Sequence, residues 1–168
     1  MSTDALRDPD HAARYDAVVC MEVLEHCPSD LQPQVLDDLA RLSRPDAVVV
    51  ISVPIEIGPT LAVKQAVRAV AAAGGLTEYA HRERYRPSEF LRMLLAGSTS
   101  EIERPETVAT TASGTSVRFH GHKGFNWHAL ERLIARVFRI ERRLYSPVPL
   151  AGSWLNSQVW FVCRKRTN

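Results

Sequence analysis

Two carboxylates and an imidazole follow a short apolar segment near the start of the chain. The run from Tyr15 to Met21 is rich in valine and almost continuously apolar, which is typical of a strand covered on both faces of a parallel sheet. Glu22, Glu25 and His26 come directly after it, and in helical geometry they would share one face at i, i+3 and i+4. Because open α/β sheets bind ligands at the carboxyl ends of their strands, the spacing predicts a functional site. The alternative is a solvated helix start with acidic residues favoured by the helix dipole.

The elements around this segment alternate between strands and helices. The apolar patterns predict strands at 15–21, 47–53, 139–145 and 156–163, and helices at 31–42, 60–73, 87–95 and 127–138. A Pro- and Gly-containing connection separates the last two strands, which indicates an antiparallel pair. Residues 97–117 are rich in Ser, Thr, Gly and Glu with little periodicity, so we expect a long flexible loop there.

Length and composition are those of one soluble α/β domain. The chain has 168 residues, 45% of them hydrophobic, and its net charge of +2 argues neither for nor against nucleic acid. Its three cysteines lack zinc-type spacing, and an odd number favours a reducing compartment. No apolar stretch approaches the ~20 residues that span a bilayer, and residues 1–14 lack the apolar core of a signal peptide. We therefore expect a cytoplasmic protein.

The order of these elements resembles the second half of a class I S-adenosylmethionine-dependent methyltransferase. Tyr15 to His26 matches the family's fourth strand and the segment after it, Leu39 to Pro54 matches the next helix and the fifth strand, and the final pair matches strands six and seven. The resemblance covers roughly residues 15–165 and implies a partial Rossmann-like sheet in the order 4-5-7-6, with an antiparallel last strand and flanking helices. It also implies S-adenosylmethionine as cofactor and methyl transfer to an oxygen or nitrogen nucleophile.

Two departures from the family pattern accompany the resemblance. The turn before the second strand reads Pro45-Asp46-Ala47 where the family usually carries two glycines, and no glycine precedes Tyr15. The family's glycine-rich loop, which cradles the methionine end of the cofactor, is therefore not found. The chain is expected to be a single domain over residues 1–168 that lacks the N-terminal cofactor-binding half. A fragment, a mispredicted start and a degenerate relative all fit, and a non-catalytic interaction module is the alternative function.

The resemblance also assigns roles to residues of this sequence. Cys20, Met21 and Glu22, at the end of the first strand, would border the cofactor. Glu25, His26 and His122 would face the methyl acceptor as the catalytic residues. The acceptor itself is not readable from the sequence: a small molecule is expected, and nucleic acid stays open.

A narrower resemblance adds a metal to this expectation. The segment Phe119 to Trp127, taken with the Glu22–His26 run, is similar to small-RNA 2′-O-methyltransferases, in which two glutamates and a histidine join a later histidine on a divalent metal. Ubiquinone-pathway O-methyltransferases have a comparable acidic segment. The implied ligands are Glu22, Glu25, His26 and His122, with His120 as an alternative. A histidine acting as plain general base, and histidines that only pack or solvate, are the other interpretations.

The strand at 15–21 has a further implication. In the complete family fold it lies between strands five and one, so without strand one it becomes an open sheet edge. Unpaired backbone groups on such an edge promote pairing with another chain. We therefore expect self-association, a partner that supplies the missing half at the 15–21 edge, or poor solubility.

Overall fold

The computed structural model describes residues 7–75, 85–111 and 114–166. Short 3-10 turns lie at Pro9–His11 and Pro149–Ala151. The longer elements, in chain order, are β1 (Tyr15–Met21), α1 (Gln32–Leu42), β2 (Ser43–Pro54), α2 (Pro59–Ala73), α3 (Pro87–Leu94), β3 (Glu106–Thr110), β4 (Ser116–His120), α4 (Trp127–Val137), β5 (Phe138–Ser146) and β6 (Gln158–Lys165).

Four of the strands form one sheet in the order β1-β2-β6-β5. β1 runs parallel to β2, whereas β6 runs antiparallel to β2 and to β5. Ile51 of β2 pairs with Phe161 of β6, which pairs in turn with Arg143 of β5. The predicted α/β fold, with the partial strand order 4-5-7-6 and an antiparallel last strand, is confirmed.

One face of this sheet carries the hydrophobic core. Alternate residues of β2 and β6 point to the same face, because successive side chains of a strand point to opposite faces, and helices α1 and α4 supply the apolar side chains packed against them. Each fully buried aliphatic or aromatic side chain contributes about 1.5–3 kcal/mol relative to an exposed one. The buried residues of this cluster include Leu36, Leu39, Val49, Ile51, Val53, Leu130, Ile134, Val159, Phe161 and Cys163.

β1 is less buried than the sequence predicts. The valine-rich run was expected to be covered on both faces, but Cys20 is its one buried residue. Val19 and Met21 are 56% and 50% exposed. The physical reason is position: within the described residues β1 pairs with β2 alone, so it lies at the sheet edge and one of its sides has no neighbouring strand.

Residues 97–117 are not a loop throughout, so that prediction is wrong for part of the segment. They contain β3 and the start of β4, which pair antiparallel as a two-stranded ribbon from Glu106 opposite His120 to Thr110 opposite Ser116. All five residues of β3 are exposed, so this strand has no buried face and its sequence lacks the apolar alternation that marks a half-buried strand. The end of β4 brings His120 to the site described below.

Helix α2 lies on the surface and buries little. Thr60 and Leu61 are its buried residues, whereas Val63, Val67 and Val70, which the sequence pattern places on one face, are 41–73% exposed. In the described part of the chain, no helix combines the length and the apolar character needed to cross a membrane.

Candidate functional site

The segment after β1 is a series of turns rather than a helix. The Glu22 amide donates to the carbonyl of Ser52 at 3.1 Å, and Glu22 takes a positive φ of 53°, which non-glycine residues adopt uncommonly. Turn hydrogen bonds then run from the His26 amide to the Val23 carbonyl at 3.0 Å and from the Cys27 amide to the Leu24 carbonyl at 3.3 Å. The predicted i, i+3, i+4 arrangement on a helix is therefore wrong, although the turns still bring part of the set together.

Glu25 is the most unusual side chain of this segment. It is 0% exposed, and neither carboxylate oxygen has a hydrogen-bond donor within the described residues. Burial is the largest effect and raises the pKa of Glu25 above its ordinary value. Interaction with its own backbone lowers the pKa by less, the Glu22 carboxylate raises it, and His26 and His122 lower it. Buried polar groups are nearly always paired, so this environment favours a protonated Glu25 or one that pairs with a bound ligand.

His26 is held in one orientation by the end of β4. Its Nδ1–H donates to the carbonyl of His120 at 2.8 Å, and the His120 amide donates back to the His26 carbonyl at 2.9 Å. A carbonyl only accepts, so Nδ1 carries the proton and Nε2 of the neutral ring keeps its lone pair. That Nε2 lies 3.8 Å from Oε1 of Glu25.

His122 completes the cluster from the loop after β4. Its ring contacts His26 edge-on, with 4.8 Å between the ring centroids and 71° between the planes. Glu25, His26 and His122 each offer one ligand atom, and the three atoms lie within 4.8 Å of one another. The structure thus brings together all three residues that the sequence assigned to the acceptor side.

Two other residues of the predicted metal set lie outside this cluster. Glu22 is half-buried, and its Oε1 accepts from the Ser52 hydroxyl at 3.3 Å. His120 is buried, and its Nδ1–H donates to the Pro105 carbonyl at 3.0 Å. The geometry therefore favours three ligands rather than the four expected, with His120 holding the β3–β4 ribbon in place.

The residues expected to border the cofactor lie at the carboxyl end of β1. Cys20 faces the core, and burial raises the pKa of its thiol to about 11, so it packs as a neutral side chain. Met21 is exposed and pairs with Ser52 of β2. Glu22 lies directly after them, on the same end of the strand as the Glu25 cluster.

Sequence reasoning missed Glu56. This residue follows β2, is 1% exposed, and lies with its Oε1 3.7 Å from Nδ1 of His122. Oε1 also accepts from Lys64 Nζ at 2.8 Å. Burial alone would raise the pKa of Glu56, but His122 and Lys64 outweigh it and hold the pKa below its ordinary value. The available signal was a charged residue two positions beyond the strand-ending Pro54, at the same sheet end as Glu25.

Arg104 fixes the backbone around the cluster. Its Nη2 donates to the carbonyls of Glu25 at 2.5 Å and of Gly121 at 2.8 Å, and its guanidinium lies over the Phe125 ring, 5.1 Å from the centroid. One side chain thus ties the turn after β1 to the loop after β4, which carry the Glu25 carboxylate and the His122 imidazole.

Two solved structures are similar to this chain at low sequence identity. One is the PH0226 protein from Pyrococcus horikoshii OT3, at 13% identity and a TM-score of 0.48, covering 93% of this chain and 54% of that one. The other is a Burkholderia thailandensis 1,6-didemethyltoxoflavin-N1-methyltransferase with bound 1,6-didemethyltoxoflavin and S-adenosylhomocysteine, at 18% identity and a TM-score of 0.45, covering 96% and 48%. The chain thus spans about half the length of these structures.

Comparison at the level of sequence gives the family. No curated protein matches the chain. A family model described as a methyltransferase domain matches residues 3–96, which is more than half of the chain and includes β1, the turn with Glu25 and His26, and β2. The chain belongs to the methyltransferase-domain family, of the class I S-adenosylmethionine-dependent type that its motifs resemble.

Proposed function

We propose that this chain carries the acceptor-side half of an S-adenosylmethionine-dependent methyltransferase acting on a hydroxyl or amino group. The observation that carries the proposal is the Glu25 carboxylate, which is fully buried, has no hydrogen-bond donor among the described residues and is clustered with His26 and His122. Membership of the methyltransferase-domain family supplies the reaction class. The cluster supplies groups that can hold an acceptor and receive its proton.

The donor set of the cluster fits a divalent cation. Glu25, His26 and His122 would provide one carboxylate and two imidazoles, the set found with an open fourth position in several catalytic zinc sites. The unpaired oxygens of Glu25 fit this interpretation, because a cation would satisfy them. When bound, such a cation would polarise the acceptor hydroxyl and favour its ionised form.

The two histidines can also act without a metal. In the transfer, the acceptor oxygen or nitrogen attacks the methyl carbon, the carbon–sulfur bond breaks, and sulfur keeps the electron pair. The acceptor's proton must leave, and Nε2 of His26 has the lone pair to take it, since its Nδ1–H is bound to the His120 carbonyl. Imidazole is suited to this role near neutral pH, so His26 could act as a general base with or without a cation.

The cofactor side of the proposal rests on Cys20, Met21 and Glu22. They lie at the carboxyl end of β1, where open α/β sheets bind ligands, and the Glu22 residue at that end is half-buried. S-adenosylmethionine, when bound, supplies an electrophilic methyl group. These residues would place it beside Glu25 and His26, and positioning of the two reactants accounts for most of the catalysis expected of such a transfer.

A cavity beside the segment after His122 supports a small molecule as the acceptor, although Glu25, His26 and His122 are not among its lining residues. It has a volume of about 330 Å³ and is lined in part by Met93, Lys123 and Gly124, the last two following His122 in sequence. Ligand pockets for small molecules start at about 300 Å³.

All three cysteines are unpaired thiols, which supports the cytoplasm as the location.

The first test concerns the cofactor. We expect the purified 168-residue chain to bind S-adenosylmethionine weakly, with a dissociation constant above the low micromolar range, because no glycine precedes Tyr15 to form a phosphate-loop-like backbone cradle. Sequencing of the genomic DNA upstream of the Met1 codon shows whether an in-frame extension encodes a strand and a glycine-rich loop. Isothermal titration then compares the chain with the extended protein, for which about −8 kcal/mol, a micromolar constant, is expected.

The outcomes of that titration separate the two candidate functions. Micromolar binding by the 168-residue chain alone would contradict the expectation of weak binding. An extended protein that binds no S-adenosylmethionine, or an upstream region with no such extension, would contradict the enzyme and favour a non-catalytic interaction module. The exposed edge of β1 is the feature that would serve such a module.

The second test concerns that edge. We expect the chain to self-associate as its concentration rises, because Val19, Met21 and Val23 are 45–56% exposed along β1 and just after it, and an open apolar edge pairs readily. Light scattering across a concentration series measures the average mass against the 18.8 kDa chain. Val19→Lys should reduce the association, since an edge lysine opposes strand pairing.

The matched control is Val67→Lys on α2, which adds the same charge at a residue that is 61% exposed but away from the edge. It should leave the association unchanged. A strictly monomeric wild-type chain at every concentration would contradict the expectation, and equal loss in both variants would assign the effect to net charge.

A further inference from the structure

Glu56 and Lys64 form a buried ion pair next to the cluster, and the proposed reaction does not use it. Glu56 follows β2 and is 1% exposed, whereas Lys64 lies on α2 with a side chain that is 15% exposed. Oε1 of Glu56 accepts from Lys64 Nζ at 2.8 Å. A buried ion pair is weak evidence for stability, because desolvation often costs more than the attraction returns. Stability alone is therefore a weak explanation for this pair, and we look for a functional role.

The contacts of Glu56 point towards His122. Oε1 of Glu56 lies 3.7 Å from Nδ1 of His122, and Oε2 has no hydrogen-bond donor within the described residues. The 3.7 Å separation exceeds the 2.7–3.2 Å of an ordinary hydrogen bond, so the carboxylate and the imidazole make an electrostatic contact at this distance. A carboxylate with unused acceptor capacity thus faces one nitrogen of an imidazole in the cluster.

The other histidine of the cluster has an acceptor for its Nδ1 at hydrogen-bond distance. Nδ1 of His26 donates to the backbone carbonyl of His120 at 2.8 Å, which fixes the ring and leaves the lone pair on Nε2. Carboxylates and backbone carbonyls play equivalent parts beside functional histidines, where they fix the tautomer and raise the basicity of the opposite nitrogen. His26 has a carbonyl in this position, and His122 has the Glu56 carboxylate.

We propose that Glu56, held in place by Lys64, is the positioning residue of His122. It keeps the proton of the neutral ring on Nδ1, which puts the lone pair on Nε2, the nitrogen that would bind a cation or take the acceptor's proton. Lys64 donates to Oε1 of Glu56 and holds that oxygen beside Nδ1 of His122. The inference rests on the proposed function in one respect, that His122 belongs to the site.

The test reads the tautomer of His122 directly, without cofactor or metal. Nitrogen-15 NMR of the histidine rings distinguishes Nδ1–H from Nε2–H in the wild-type chain and in two variants. Glu56→Leu/Lys64→Met removes the acceptor and replaces the ion pair by apolar side chains of similar volume, an exchange that is often neutral or stabilising. Glu56→Gln is the conservative variant, because its amide oxygen still accepts.

We expect Nδ1–H at His122 in the wild-type chain and in Glu56→Gln, and a shift towards Nε2–H in Glu56→Leu/Lys64→Met. A role in folding alone would leave the tautomer unchanged in both variants. Nε2–H in the wild-type chain would overturn the inference, as would an unchanged tautomer in the double variant. If the double variant does not fold, the wild-type spectrum still decides.

Titration with Zn²⁺ alone gives the second readout. Loss of a carboxylate behind a ligating histidine typically weakens metal binding about 10- to 100-fold, so that decrease is expected for Glu56→Leu/Lys64→Met, with a smaller one for Glu56→Gln. Equal zinc affinity in all three proteins would overturn the inference. No zinc binding by any of them, together with the expected tautomer change, would support the positioning role and contradict only the cation site of the proposed function.

Discussion

The melting temperature of the chain is expected to rise by about 5–10 °C when Zn²⁺ is present at about 100 times its dissociation constant. At that ratio a ligand of the folded state adds about 2.7 kcal/mol, and 1 kcal/mol shifts the midpoint of a protein of this size by about 2–4 °C. His26→Ala should abolish the rise, because Nε2 of His26 lies 3.8 Å from Oε1 of Glu25 and its loss leaves one carboxylate and one imidazole. Differential scanning fluorimetry with and without Zn²⁺ measures the effect.

Two control variants define which residues take part. His128→Ala removes a half-buried histidine on α4 that contacts Glu131 rather than the cluster, and it should keep the rise. Glu22→Ala should keep most of it, because Glu22 lies outside the three-residue cluster. The sequence alone predicts a complete loss for Glu22→Ala, so that result would restore the four-ligand set. An undiminished rise in His26→Ala would contradict the cation site.

The sheet was predictable because its signals are local. Valine-rich runs define β1 and β2, Pro54 ends the second of them, and a short Pro- and Gly-containing connection makes β5 and β6 an antiparallel pair. Their order in the sheet follows from the family resemblance. The burial of β1 was overestimated, because an apolar run does not reveal whether the neighbouring strand is present in the same chain.

The site was only partly predictable because its geometry depends on distant contacts. His26 takes its orientation from the carbonyl of His120, 94 residues away, and no local pattern encodes that hydrogen bond. Glu22 adopts a positive φ after β1, which rotates it out of the helical spacing assumed for Glu22, Glu25 and His26. In the sequence, Glu56 is only a charged residue shortly after a strand. Its contacts with His122 and Lys64, which suggest its role, are visible only in the structure.

The metal-free chain is expected to gain about 1–3 kcal/mol in free energy of unfolding when Glu25 is replaced by leucine. A buried polar group without a hydrogen-bond partner costs about that much, and Glu25 is 0% exposed with neither oxygen paired in the part of the chain that the structure describes. The same variant should lose the zinc response, since it lacks the carboxylate ligand. A site that costs stability when empty is typical of functional residues. Chemical denaturation measures the gain, and Glu101→Leu, at an exposed position, should change stability by less than about 0.5 kcal/mol.

The gain from Glu25→Leu should grow with pH, and its sign follows from the shifted pKa. Burial raises the pKa of Glu25 above its ordinary value of 4.5, so the folded chain binds this proton more tightly than the unfolded chain does. The stabilising effect of that proton is complete below about pH 4.5 and is lost as pH rises through the folded-state pKa. Wild-type stability therefore falls relative to Glu25→Leu above pH 4.5. Denaturation curves at several pH values without metal measure the difference, and a gain that shrinks as pH rises would show that Glu25 is ionised and stabilised by a donor in solution.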